Sequence, residues 1–267
     1  MTNFVFSTAG THFDGYASIA ATTVVVGDAK VTGRQADVVL AAYYAMQAAQ
    51  RTIKKAATNN QVTAAIAKVC AEFDCQPSEG VLSHKIKQHV IDCNDVIINK
   101  ETSTSQAKEY AFAPGDVIGL DIYVSTGEGK PKETDIRTTV YKRELQTDYQ
   151  LKLKASRAFF KEIWARFPTL PFALRAFENG TEAKMGVKEC LDHHMLVPYY
   201  VLKEKEGEYV AHFHTTIAVQ PRSTAILSGN IPIDLSRFES EKSIKNEELK
   251  ALLASDLWKD EKAKKKK

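Results

Sequence analysis

Strand-like and helix-like segments follow one another along this chain in an irregular order, which constrains the fold more than any other feature of the sequence. Residues from Tyr209 to Val219 alternate between apolar and polar side chains, which predicts a strand that ends before Pro221. Residues 32–55 place apolar side chains three to four positions apart, which predicts a long amphipathic helix. Further strands are predicted at 16–26, 117–124 and 137–141, and further helices at 62–73, 152–167, 185–195 and 246–258. This order predicts an α+β fold rather than a doubly wound parallel sheet.

Two turn-rich segments indicate how the predicted strands are connected. Asp14 and Gly15 form a turn dipeptide directly before the strand at 16–26. Residues 125–131 contain two glycines and a proline, so the strands at 117–124 and 137–141 are predicted to form a hairpin with a long loop.

The positive charge of the chain is modest overall and is concentrated in two stretches, the first at 130–157 and the second at 262–267. Lys and Arg number 36 and Asp and Glu 33, a net charge of +3 that does not by itself indicate a nucleic-acid partner. Tyr141 and Tyr149 lie among the basic residues of the first stretch, so these residues are predicted to bind RNA phosphates while the aromatic rings stack on bases. A solvated charged surface is the simpler alternative. The predicted RNA-binding residues are Lys130, Lys132, Arg137, Lys142, Arg143, Lys152, Lys154, Arg157, Lys264, Lys265, Lys266 and Lys267.

Cysteine content and hydropathy indicate the cellular compartment. The 4 cysteines form no C-x-x-C pair and are too few for a disulfide framework, which favours a reducing compartment. The N-terminus lacks the pattern of a secretory signal, and the apolar stretch at 16–26 is too short to cross a membrane. We therefore expect a cytoplasmic and nuclear protein with no membrane partner.

The common motifs of nucleotide-binding and hydrolytic enzymes are absent from the sequence. It contains no glycine-rich nucleotide fingerprint, no P-loop, no nucleophile elbow and no H-E-x-x-H zinc motif. The sequence therefore gives no support for these enzyme classes.

Eight sequence blocks occur in a characteristic order along the chain, at 10–15, 31–38, 79–92, 125–130, 137–143, 156–160, 174–178 and 204–211. The first block includes Gly10-Thr11-His12, and the third begins Glu79-Gly80-Val81-Leu82-Ser83-His84. In this order the blocks closely resemble the proliferation-associated, ErbB-receptor-binding protein family. This resemblance implies the pita-bread fold of type II methionine aminopeptidases, without peptidase activity, and an association with RNA, ribosomes and growth control.

The resemblance also implies where the metal ligands of a peptidase would lie. It places Thr8 and Ile19 at two aspartate positions, and His84, Asp121 and His214 at the other three ligand positions. Two metal ions need bridging oxygen ligands, which Thr8 and Ile19 do not supply, so no catalytic residue, metal or other cofactor is expected. His84, Asp121 and His214 could form a relic mononuclear site, although hydrogen-bonded strand histidines are the commoner alternative. The other histidines have no partner spacing that suggests a site, namely His12, His89, His193, His194 and His212.

The resemblance further implies how the chain is organised. We expect a first part of the pita-bread core at 1–150, a helix-rich insertion at 151–205, closing strands at 206–240, and a C-terminal helix with a basic tail at 241–267. Family members carry a further segment before the block around Thr8, so the fold is expected to be truncated at the N-terminus. The strand at 16–26 would then have an unpaired edge, and the chain would self-associate or need a protein partner that covers it.

Three functional hypotheses follow from these patterns. The first is a non-enzymatic protein that binds structured RNA or the ribosome in growth or translation control, in the cytoplasm and the nucleus, including the nucleolus. The second is an adaptor whose segment 151–205 binds a partner protein. The third is a residual mononuclear metallohydrolase that uses His84, Asp121 and His214.

Overall fold

The computed structural model describes residues 4–229 and 231–260, which form two compact units. The first unit contains the described residues within 1–131 and 204–267, and the second contains residues 132–203. The predicted insertion at 151–205 overlaps the second unit, which begins earlier because Lys132 and Glu133 pair with Lys203 and Leu202 inside it. A compact unit does not by itself define an independently folding domain. The division into segments 1–150, 151–205, 206–240 and 241–267 therefore stays a prediction.

Strands and helices follow one another along the first unit and into the second without a regular repeat. The chain begins with β1 (Phe4–Phe13), β2 (Tyr16–Val25), β3 (Val31–Thr32), α1 (Gly33–Thr52), α2 (Asn59–Glu72), β4 (Gln76–Pro77), β5 (Leu82–Ile86), β6 (Val96–Ile98) and β7 (Val117–Ser125). The second unit contains β8 (Lys132–Glu133), β9 (Val140–Arg143), α3 (Lys154–Arg166), β10 (Phe172–Ala173), α4 (Gly180–Asp192), β11 (Leu196–Pro198) and β12 (Leu202–Lys203). The first unit resumes with β13 (Val210–Val219), β14 (Thr224–Ser228), β15 (Phe238–Glu239) and α5 (Glu247–Ala254).

The main sheet of the first unit is antiparallel, with the strand order β1-β2-β13-β7-β5-β6. Strand β14 pairs with β13, and β4 pairs with β7. Alternate residues of β7 and β13, including Leu120, Ile122 and Phe213, join the same buried apolar cluster as helices α1 and α2. Because side chains alternate between the two faces of a strand, the residues between them lie on the opposite face. The α+β class is thereby confirmed.

A tight turn connects β1 to β2. Asp14 and Gly15 have φ angles of 50° and 80°, so both adopt the left-handed conformation that a two-residue hairpin turn requires. A side chain at Gly15 would also lie 2.4 Å from the His89 ring. The turn predicted at this dipeptide is therefore confirmed.

The second unit has its own apolar core. Helices α3 and α4 contribute Phe159, Ile163, Val187 and Cys190 to a buried cluster that also contains Tyr141 of β9. Strand β9 lies between β10 and β11 in a three-stranded antiparallel sheet. Helices α1 to α4 lie where the sequence predicts them, with ends that differ by a few residues.

Three sequence predictions need correction. The predicted hairpin between 117–124 and 137–141 does not form, because β7 pairs with the long complementary strand β13 while β9 pairs with β10 and β11. The strand at 16–26 is not a sheet edge, since β1 pairs with its whole length and becomes the edge strand. The last helix ends at Ala254 rather than Trp258, whose carbonyl instead accepts a hydrogen bond from the Thr224 amide.

No helix among the described residues is long and apolar enough to span a membrane.

Candidate functional site

One row of paired residues crosses four strands of the main sheet. Thr8 on β1 pairs with Ala21 on β2, Ala21 pairs with His214 on β13, and His214 pairs with Asp121 on β7. Directly opposite residues in antiparallel strands project from the same face. This face is the one opposite to helices α1 and α2, and Asp121 and His214 therefore lie together on it.

His212 joins these two residues. It lies two positions before His214 on β13 and thus projects from the same face. Its Nε2 atom lies 2.6 Å from Oδ1 of Asp121, and Nδ1 of His214 lies 3.2 Å from the same oxygen. Among the described residues, these three form the only group of His, Cys, Asp and Glu whose potential ligand atoms lie within 4.8 Å of one another.

The two histidines keep Asp121 ionised. Burial alone would raise the pKa of Asp121, but the hydrogen bonds from His212 and His214 outweigh it and hold the pKa well below its usual value. The two histidine side chains are almost fully buried, whereas the Asp121 side chain keeps 26% of its surface exposed. The Asp121 carboxylate is therefore partly exposed to solvent, whereas the two histidines beside it are almost fully buried.

Packing fixes the orientation of both imidazole rings. The His212 ring stacks on the Tyr123 ring with centroids 3.8 Å apart, and Phe6 contacts it edge-on at 5.8 Å. The His214 ring occupies the space above Gly119, where an added Cβ would lie 3.2 Å from Nε2. Gly119 therefore leaves the room that the His214 ring requires.

His84 does not belong to this cluster. It pairs with Gly119 across β5 and β7, and its Nδ1 atom lies 3.0 Å from the carbonyl oxygen of Cys93. The expectation that His212 has no partner is wrong, because its Nε2 atom contacts Asp121. The His-x-His spacing on a predicted strand was the signal that could have identified His212, because such residues share a face.

The residues present do not fit a dinuclear metal centre. Thr8 and Ile19 lie on the β1–β2 hairpin, where Thr8 is exposed and the Ile19 carbonyl accepts hydrogen bonds from the Thr216 and Ser228 hydroxyl groups. Neither side chain is a carboxylate, and the cluster supplies only Asp121. Two adjacent divalent ions need several bridging oxygen ligands, which these residues do not provide.

The predicted RNA-binding residues have different surroundings. The exposed Lys130 lies in the first unit. The other predicted RNA-binding residues that the structure describes lie in the second unit. Arg143 packs within the second unit, with its Cζ atom 3.6 Å from the centroid of the Trp164 ring. Arg157 donates hydrogen bonds to the carbonyl groups of Leu151 and Lys152. The others are the exposed Lys132, Arg137, Lys152 and Lys154 and the half-buried Lys142, whereas Lys264, Lys265, Lys266 and Lys267 lie outside the described residues.

Charge is distributed unequally between the units. Residues 132–203 contain 13 Lys and Arg and 9 Asp and Glu, which gives a net charge of +4. The rest of the sequence contains 23 Lys and Arg and 24 Asp and Glu, a net charge of −1. The second unit therefore carries the excess positive charge, even though the lysine-rich tail is counted with the first.

Sequence comparison shows the family. Residues 2–143 match the profile of metallopeptidase family M24. The chain belongs to this family. Within it, the chain is 42% identical to the curved DNA-binding protein of Schizosaccharomyces pombe and 41% identical to ErbB-3 binding protein 1 of Solanum tuberosum, over 93% and 92% of its length. It is 39% identical to proliferation-associated protein A of Dictyostelium discoideum over 96% of its length, so the resemblance to this group is confirmed.

The chain spans about two thirds of the length of these relatives, covering 65%, 63% and 67% of them respectively. A solved structure of a thermophilic Arx1 superposes with a TM-score of 0.83 at 29% identity, covering 92% of this chain and 72% of that one. Methionine aminopeptidase from Thermotoga maritima superposes with a TM-score of 0.54 at 14% identity, covering 85% and 64%. These similarities confirm the pita-bread fold.

Proposed function

We propose that this M24 family member is a non-peptidase protein that binds structured RNA and associates with ribosomes in growth or translation control. The observation that carries the proposal is the net charge of +4 on residues 132–203, against −1 for the rest of the chain. Basic side chains bind phosphates without reading base sequence, so this unit supplies the electrostatic part of RNA binding. The protein would act in the cytoplasm and nucleus, including the nucleolus.

The exposed basic residues of the second unit are the proposed phosphate contacts. Lys132, Arg137, Lys152 and Lys154 are exposed, and Trp164 keeps 57% of its surface exposed. Exposed aromatic rings stack on unpaired bases, which adds affinity without sequence preference. The prediction that Tyr141 has this role is wrong, because Tyr141 is buried in the core of the second unit, and the Tyr149 ring stacks on His193. Arg143, Arg157 and Lys142 would add positive charge within the same unit, and Lys130 and the lysines at 264–267 would add further positive charge elsewhere in the chain.

The names of two of the relatives that are about 40% identical describe macromolecular binding. One relative is named a curved DNA-binding protein, and another is named ErbB-3 binding protein 1. This chain spans about two thirds of each of these relatives, and binding of a macromolecule by the part that they share is included in the proposal. The absence of carboxylates at Thr8 and Ile19 supports the non-peptidase part.

Sedimentation with purified ribosomes tests the ribosomal part of the proposal. The chain is expected to pellet with ribosomes at low salt and to return to the supernatant as the salt concentration rises, because each released phosphate contact takes up counterions. Failure to pellet at the lowest salt concentration would contradict the proposal. Pelleting that salt does not change would favour the protein-adaptor hypothesis instead.

A further inference from the structure

We propose that Asp121, His212 and His214 form a mononuclear binding site for a divalent transition-metal ion of the zinc class. This inference goes beyond the proposed function, which needs no metal. It also differs from the peptidase arrangement, because His212 replaces His84 as a ligand and a single carboxylate is present. The ion would join strands β7 and β13 at the centre of the main sheet.

The strand geometry brings the three ligands together without distortion of the backbone. His212 and His214 occupy alternate positions of β13, and Asp121 lies directly opposite His214 on β7. Alternate residues share one face, and opposite residues have Cβ atoms about 5 Å apart. Three side chains from two adjacent strands can therefore converge on one point above the sheet.

The observed distances are close to those of a coordinated ion. Zinc bonds to imidazole nitrogen and carboxylate oxygen are about 2.0 to 2.2 Å long, so tetrahedral ligand atoms lie roughly 3.3 Å apart. Nδ1 of His214 already lies 3.2 Å from Oδ1 of Asp121. Nε2 of His212 lies 2.6 Å from the same oxygen and would move outward by a fraction of an ångström when an ion replaces the hydrogen bond. For these two ligand pairs the required movement is less than about 1 Å, and the two histidine nitrogens lie within 4.8 Å of each other.

The donor atoms select the class of metal. Two imidazole nitrogens and one carboxylate oxygen favour Zn²⁺, Co²⁺ or Ni²⁺ over Mg²⁺ and Ca²⁺, which prefer sites made of oxygen ligands. The ionised Asp121 offsets part of the charge of the ion. Since Asp121 keeps 26% of its side-chain surface exposed, a water molecule can occupy the fourth position.

The imidazole nitrogens that do not contact Asp121 indicate how tightly the site would bind a metal ion. Nδ1 of His212 and Nε2 of His214 are buried and have no hydrogen-bond partner among the described atoms. Ligating histidines usually donate their second N–H to a protein group, and loss of such partners lowers metal affinity by about 10- to 100-fold. Packing against Tyr123 and above Gly119 orients the rings instead. We therefore expect reversible binding that a chelator removes.

Titration of the chelator-treated, tag-free chain with Co²⁺ and Zn²⁺ tests the site. We expect about one equivalent of Co²⁺ per chain, visible d–d absorption typical of tetrahedral Co²⁺, and displacement of the Co²⁺ by Zn²⁺. Asp121→Asn, His212→Gln and His214→Gln should each weaken binding at least tenfold. His84→Gln is the control, because His84 projects from the same face but lies outside the cluster, and it should leave the affinity unchanged.

Three outcomes would overturn the proposal. They are the absence of binding to either ion, binding that survives all three ligand substitutions, and binding that is lost in His84→Gln. Circular dichroism and thermal melting in chelator show whether each variant is folded. Asp121→Asn nearly preserves side-chain shape, so this variant keeps the test decisive if a histidine variant unfolds.

Discussion

Peptides that begin with methionine are expected to remain intact when they are incubated with the purified chain and added Co²⁺ or Mn²⁺. Metal-assisted hydrolysis by a two-metal centre requires bridging oxygen ligands that hold both ions and activate a water molecule. Thr8 and Ile19 supply no carboxylate, and the buried cluster supplies only Asp121. Enzymes accelerate such reactions by about 10⁶-fold or more, so the lack of a two-metal centre should remove an acceleration of this order.

A genuine methionine aminopeptidase assayed in parallel with the same peptide is the positive control. Methionine release by the chain that disappears in Asp121→Asn would contradict this expectation, because the activity would then depend on the cluster. Release that is unaffected by this substitution would indicate a contaminating peptidase.

Asp121→Asn is expected to lower the free energy of unfolding by about 1.5 to 3 kcal/mol near neutral pH, measured in chelator. The carboxylate accepts hydrogen bonds from both buried histidines, and hydrogen bonds to a charged group contribute about this much. These contacts hold the folded-state pKa of Asp121 below its ordinary value of 3.8. The stabilisation is therefore fully present above this value and is lost as the pH falls through the lower folded-state pKa.

Urea denaturation at several pH values measures this effect. The difference between the original chain and Asp121→Asn should be present at neutral pH and should shrink in strong acid. Asp28→Asn is a matched control at an exposed position, where a change of less than about 0.5 kcal/mol is expected. Equal effects of the two substitutions would show that the histidine contacts do not stabilise the fold.

The sequence predicted the helices and strands in which apolar residues repeat regularly over many consecutive positions. The helix at 32–55 and the strand at 209–219 were identified because their apolar residues repeat with helical and strand periodicity, and they correspond to α1 and β13. Asp121 and His214 were paired only through the family resemblance, and the structure confirms that they are neighbours. Local pattern and resemblance together therefore located two of the three residues in the cluster.

Strand partners and register could not be predicted from the local pattern. β1 contains few strong apolar signals beyond Phe4, Val5 and Phe6, and its extended form depends on pairing with β2. The contact between His212 and Asp121 depends on the alignment of β13 with β7, which are distant in the sequence. Periodicity states which residues share a face of one strand, whereas register decides which residues of two strands meet.

RNA affinity measured across a salt series distinguishes binding through residues 132–203 from binding through the rest of the chain. Purified ribosomal RNA, which contains both helices and unpaired loops, would be titrated with the original chain and with two variants that each lose two exposed positive charges. Lys152→Gln with Lys154→Gln removes charge from the second unit, and Lys54→Gln with Lys55→Gln removes the same charge from the first. All four lysines are exposed, so neither variant is expected to impair folding.

The variant in the second unit is expected to bind more weakly, and its slope of log affinity against log salt is expected to be shallower by about 1.4, since each single-strand phosphate contact contributes about 0.7. The variant in the first unit should match the original chain in both respects. Equal losses in the two variants, or an unchanged slope in the variant of Lys152 and Lys154, would contradict RNA binding through residues 132–203.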